Sequence, residues 1–195
     1  MNVVILAKKK KASITKGSEM AINPTTYGIA KYQTDDYRNG YATDLVAICS
    51  EEGIEVYVQD FIDSALSGLI EKNGSKWSIY VDANDPLVRQ RFTIAHELGH
   101  YFSYKANKLS KEPLDADGEL EDKVYLGRPN ATDGTDPVEI EANAIAAELL
   151  MPINIISSMV ERGDTTDEMA EKLGVSASAL GFRLKNLGYT PLESV

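Results

Sequence analysis

Histidine, cysteine and tryptophan are scarce in this 195-residue chain, which holds two, one and one of them. The single cysteine, Cys49, cannot form an internal disulfide. With no histidine or second cysteine nearby, it reads as a buried structural thiol and not as a nucleophile or soft-metal ligand. No run approaches the roughly 18 apolar residues needed to span a bilayer. The N-terminal VVIL comes before its lysines, the reverse order of a secretory leader, so a cytoplasmic location without membrane contact is expected. Repeats and low-complexity blocks are also missing, which excludes solenoids and fibrous arrays.

Positive charge is short and unevenly placed. The net charge is −10, yet residues 1–20 carry Lys8, Lys9, Lys10, Lys11 and Lys16 against Glu19 alone. An acidic body repels phosphate backbones, which argues against nucleic-acid binding by the core and favours a basic protein partner. The lysine run itself reads as a solvated arm.

Three regions are expected: an unassigned basic and polar segment over 1–40, a core over 41–162, and a helix-turn-helix-like element over 163–195. TDLVAICSEE suits a helix capped by Thr43 and ended by Gly53. Strand patterns follow at 54–59, 65–71 and 76–82, with Asn73-Gly74 as a hairpin signal, giving a small antiparallel or mixed sheet. Asp85-Pro86 opens a helix whose apolar residues recur through Phe102, and Asp136-Pro137 opens a second that runs to Met151-Pro152. Between them, 105–135 is a polar excursion of the kind that borders active sites. A short apolar segment, INIISSMV, and two small helices split by Gly174-Val175-Ser176 complete the chain.

Both histidines fall in one stretch, RFTIAHELGHYFSY, at positions 96 and 100. Residues four apart on a helix lie one turn apart on one face, so both imidazoles can meet one ion. Glu97, beside the first histidine, could reach a water at that ion without ligating it, which is the HExxH arrangement of zinc hydrolases. Ile94, Leu98 and Phe102 already supply a core stripe, so packing gives no reason for the imidazoles. With no third histidine, the remaining ligand should be an acid on the second helix. Glu139 and Glu141 point about 200° apart, so only one can face the ion. Glu139 shares its face with Asn143, Ala146 and Leu150, whose smaller members admit a neighbouring helix, and it is the expected ligand for Zn2+. Asn143 would then hold a ligating histidine by its second ring nitrogen. The other role open to Glu139 is an N-terminal capping acid paired with Asp136, and the two roles are compatible.

RFTIAHELGHYF followed by EIEANAIAAELLMP resembles the ImmA/IrrE family of small zinc metallopeptidases, with Ile145 where that family usually has phenylalanine. VSASALGFRLKNLG is similar to the family's C-terminal pattern, and the resemblance runs from about Gly53 to Tyr189, leaving residues 1–40 outside it. It implies an α+β, zincin-like peptidase domain, with a short sheet packed on the HExxH helix and a second ligand-bearing helix, and a small C-terminal helical element. It implies ligation by Glu139 within an E-x-x-x-D/N unit that includes Asn143. It also implies cleavage of a helix-turn-helix repressor by an anti-repressor endopeptidase. In the expected hydrolysis Glu97 takes the water proton and passes it to the leaving amine. Tyr104 is the nominated oxyanion donor, with Tyr101, Tyr125, Arg91 and Arg128 as alternatives. The alternative function is a metal-containing module that binds a repressor or toxin without turnover. Residues 164–195 carry three cations against five acids, which argues against direct DNA contact by the C-terminal element.

Overall fold

The computed structural model describes residues 23–62, 66–110, 123–126 and 136–191. Its elements are β1 (Arg38–Asn39), β2 (Ala42–Thr43), α1 (Leu45–Glu51), β3 (Ile54–Gln59), β4 (Gly68–Asn73), β5 (Lys76–Asp82) and α2 (Leu87–Ser110), then β6 (Lys123–Leu126), α3 (Pro137–Leu150), α4 (Ile153–Arg162), α5 (Thr166–Leu173) and α6 (Ala177–Asn186). The fold is α+β. Among the described residues no single helix is long and apolar enough to cross a membrane.

A four-stranded mixed sheet runs in the order β3-β5-β4-β6. β3 pairs parallel to β5, while β4 pairs antiparallel to both β5 and β6. The β4–β5 hairpin turns at Gly74, whose positive φ of 59° is the conformation its Asn-Gly signal anticipates. Alternation along the strands sends Ile70, Trp77, Ile79 and Val81 to one face, where they are buried with Ala95, Leu98 and Phe102 of α2. Each such fully buried aliphatic or aromatic side chain contributes roughly 1.5–3 kcal/mol. The sheet thus fixes α2 along its length. On the other face Tyr57 and Tyr80 stack with centroids 5.2 Å apart.

Several expected boundaries move. Thr43 does not cap α1; Asp44 does, accepting from the Ala47 N–H at 3.0 Å, while the Thr43 hydroxyl donates to the Leu149 carbonyl at 2.6 Å. β4 begins at Gly68 and not at 65, a position outside the described residues. A Cβ at Gly68 would lie 2.3 Å from the Thr93 methyl, so glycine is what lets the strand reach α2. α2 continues to Ser110, which shortens the polar excursion, and part of that excursion is β6, hydrogen-bonded to the edge of β4 at Ile70–Asn73. INIISSMV is no isolated segment but the body of α4, with Ile156 and Met159 buried one turn apart and Gly163 ending it at φ 80°. Residues 23–37, where no element was expected, form turns and two short 3-10 helices (Ala30–Gln33 and Asp35–Tyr37) that insert Ile29 and Tyr32 into the core at 0% and 1% exposure.

Two arginines join the C-terminal helices to the rest. Arg91 of α2 donates to the Gly174 carbonyl between α5 and α6 and to the Thr43 carbonyl. Arg183 of α6 pairs with the buried Glu148 of α3 and donates to the Met151 carbonyl, and Gln33 donates to Glu148 from the other side.

Candidate metal centre

Among the described residues, α2 and α3 make the most extensive helix–helix contact. At its centre Gly99 faces Ala142 so closely that a Cβ on Gly99 would sit 2.5 Å from the Ala142 carbonyl oxygen. This approach brings side chains of both helices to one point. His96 and His100, on successive turns, hold their rings nearly perpendicular with centroids 4.6 Å apart. α3 is started by Asp136, whose side chain accepts from the Val138 N–H at 2.9 Å, with Pro137 in the first turn. Capping is therefore done by Asp136, and Glu139 is turned toward the imidazoles. Its oxygens lie 3.1 Å from His96 Nε2 and 3.4 Å from His100 Nε2. One ligand atom from each of the three residues falls within 4.8 Å of the others.

The protonation pattern tells what this cluster can hold. His96 Nδ1 donates to Asn143 Oδ1 at 3.0 Å, which leaves the lone pair on Nε2. Burial lowers the pKa of His96, against the pull of Glu139. Burial, and then His96, push His100 down to about 4. The two Nε2 atoms lie 3.1 Å apart and both face Glu139, so a cation among them would be bound by all three groups. Two nitrogens and a carboxylate also match the donor set of a divalent hydrolytic metal, so the residues fit such an ion.

Glu97 is buried at 5% exposure and accepts from the backbone N–H of Ile70 in β4. Its Oε2 has no partner among the described residues. Burial first, then the neighbouring Glu139, raise its pKa to about 8, with the Ile70 bond acting against them. A carboxylate placed this way gains stability from a nearby cation and is ready to take up a proton.

Glu141 turns away from the histidines and accepts from the hydroxyls of Tyr27 and Ser103. Tyr104 packs its ring edge-on against Trp77 at 5.5 Å. Tyr101 donates to Glu52, and Arg91 is committed to two carbonyls. Tyr125 lies in β6, where only its backbone register opposite Glu71 is described, and Arg128 lies outside the described residues. Two contacts with the site come from residues that periodicity assigns to the core. Phe92 stacks on His96 with centroids 6.2 Å apart, and Ile70 orients Glu97. Phe92 stands four residues before His96, so helical spacing alone could have signalled it.

Comparison with known proteins points the same way. The profile of the peptidase family described as the IrrE N-terminal-like domain matches residues 49–185. The radiation response metalloprotease IrrE of Deinococcus radiodurans is 35% identical over 101 residues, covering 49% of this chain and 27% of that protein. The metallopeptidase ImmA of Bacillus subtilis is 24% identical over 167 residues, covering 84% of this chain and 88% of the relative. The chain thus spans about a quarter of the first relative's length and most of the second's.

Proposed function

We propose that this chain, which belongs to the IrrE N-terminal-like family of peptidases, is a zinc-dependent endopeptidase acting on a specific helix-turn-helix repressor. The observation that carries the reading is the convergence of His96, His100 and Glu139 within 4.8 Å beside the buried, unpartnered Oε2 of Glu97. His96, His100 and Glu139 hold the ion, and Asn143 keeps the His96 ring turned so that its Nε2 lone pair faces inward. Held there, zinc would supply Lewis acidity toward a water and a peptide carbonyl. Glu97 takes the proton of the attacking water on Oε2 and delivers it to the departing amine. The Ile70 N–H holds the other part of that carboxylate in place throughout.

Charge supports the substrate class. A chain with net charge −10 attracts a basic DNA-binding protein and repels DNA itself. Arg183, one of the two cations of α6, is already buried against Glu148, which leaves Lys185 alone to meet phosphates.

The test is a pair of measurements on Glu97→Gln and the parent protein. Both should carry about one equivalent of zinc, and only the parent should cleave helix-turn-helix regulators encoded beside its gene. If the variant relieves repression as well as the parent, the chain acts by binding alone and the peptidase reading fails.

A further inference from the structure

We infer that Tyr27 and Ser103, through their shared hold on Glu141, are positioning residues that set the rotation of α3 and so aim Glu139 at the metal centre. This rests on the ligand set proposed above. Glu139 and Glu141 are two residues apart, so they leave the α3 axis in directions about 200° apart. A restraint on Glu141 therefore acts on the side of the helix opposite the ligand. Two hydroxyls grip it: Ser103, three residues beyond His100 on α2, and Tyr27, which arrives from the segment preceding β1. Ser103 is itself buried at 6% exposure, and Tyr27 packs against the core.

Toward its C-terminal end α3 is also held by Glu148 against Arg183 and Gln33 and by the Thr43 hydroxyl on the Leu149 carbonyl; nearer Glu139 the polar restraints are Asn143 on His96 and Glu141. Gly99 against the Ala142 backbone fixes how near α3 comes to α2 but does not by itself fix its rotation. A roll of about 10° would move a side-chain tip 5–6 Å from the axis by roughly 1 Å. That displacement matches what separates a ligand from a spectator, because metal–oxygen distances are held within about 0.2 Å. Glu141 is a pin against this roll. Tyr27 precedes the stretch matched by the family profile, residues 49–185, so the matched region does not contain the whole of its own alignment device.

The experiment compares chelator-competition affinities for Zn2+ and the visible absorption bands of the Co2+-loaded protein. Its variants are Tyr27→Phe, Ser103→Ala, the double variant and a control, Tyr32→Phe. Tyr32 sits in the same N-terminal segment but donates to Glu52 on the α1 side, away from α3. Tyr27→Phe and Ser103→Ala should each weaken zinc binding about 10-fold, the usual scale for losing an outer-shell partner, and shift the Co2+ bands. Tyr32→Phe should lower the melting temperature about as much as Tyr27→Phe does, while leaving affinity and spectrum within twofold of the parent. Equal affinities across all four variants overturn the inference, as does a Tyr32→Phe variant that binds metal as weakly as Tyr27→Phe. If the parent binds no metal, the ligand assignment falls as well. If the parent binds zinc and loses hydrolysis on Glu97→Gln, yet Tyr27→Phe changes nothing, only the positioning role falls.

Discussion

Replacing Gly99 with alanine sets two effects of opposite sign against each other. In a helix interior alanine is favoured over glycine by about 1 kcal/mol, so propensity alone makes Gly99→Ala stabilising. The new Cβ would lie 2.5 Å from the Ala142 carbonyl oxygen and 2.9 Å from its Cα, both backbone atoms that cannot turn aside. Reaching an ordinary contact near 3.4 Å means moving α3 away by about 0.9 Å. Overpacking of this kind costs typically 1–3 kcal/mol, and a backbone clash belongs at the upper end, so the net effect is a loss of about 2 kcal/mol. For a chain of this length that is a fall of roughly 4–8 °C in melting temperature. The same shift would stretch the His96–Asn143 bond from 3.0 Å to nearly 4 Å, past the limit for a hydrogen bond. Zinc affinity should then drop by about 10- to 100-fold. Gly181→Ala in α6 is the control: nothing lies within 4 Å of its added Cβ, so it should gain about 0.5–1 kcal/mol. Thermal melts of both variants with and without zinc decide the matter. A Gly99→Ala protein that melts higher than the parent and keeps its zinc would refute the reasoning.

Arg183→Leu should destabilise the fold by about 3–5 kcal/mol in urea titration, because among the described residues it leaves the 5%-exposed Glu148 with Gln33 as its one donor. Arg183→Leu combined with Glu148→Leu should recover most of that loss, and a double variant as unstable as the single would show the pair itself was stabilising. Glu52 predicts an acid limb: burial opposes its charge, but hydrogen bonds from Lys105, Tyr32, Tyr101 and Lys31 prevail and hold its pKa at about 2, below the ordinary 4.5. A carboxylate depressed on folding contributes stability above its unfolded pKa and loses it as pH falls, so the loss should run from about pH 4.5 down to about 2. Glu52→Gln should flatten that part of the stability–pH curve, and an unchanged slope would remove Glu52 from the account.

Helical arithmetic made the site's geometry readable in advance. A spacing of four fixes His96 and His100 on one face, and the Asp136-Pro137 start sets where Glu139 stands relative to that face. The sheet was partly readable, since alternation and the Asn-Gly turn mark β4 and β5 without tertiary help. β6 was not, because Lys123–Leu126 becomes a strand only when the edge of β4 offers partners. Residues 23–37 carry no period, and Tyr27, Tyr32 and Gln33 are ordered by carboxylates more than 20 residues away in sequence or, for Tyr32, by Glu52 at a separation of 20. Asp44 and Thr43 are adjacent capping residues, and the choice between them is made by the Leu149 carbonyl, a group no local pattern reveals. For α4 the signals are present, Pro152 before and Gly163 after, but Ser157 and Ser158 interrupt the apolar run between them.

The last two helices are fastened to the peptidase core by guanidinium groups reaching in opposite directions, Arg91 outward from α2 and Arg183 inward from α6. A shortened protein ending after Gly163 would keep every residue of the metal cluster, yet it would strip Glu148 of its Arg183 partner and cut Arg91 off from the Gly174 carbonyl. Trimming for crystallisation or expression would have to treat these two sutures first, for instance by making position 148 apolar, before any loss of activity could be blamed on the missing helices.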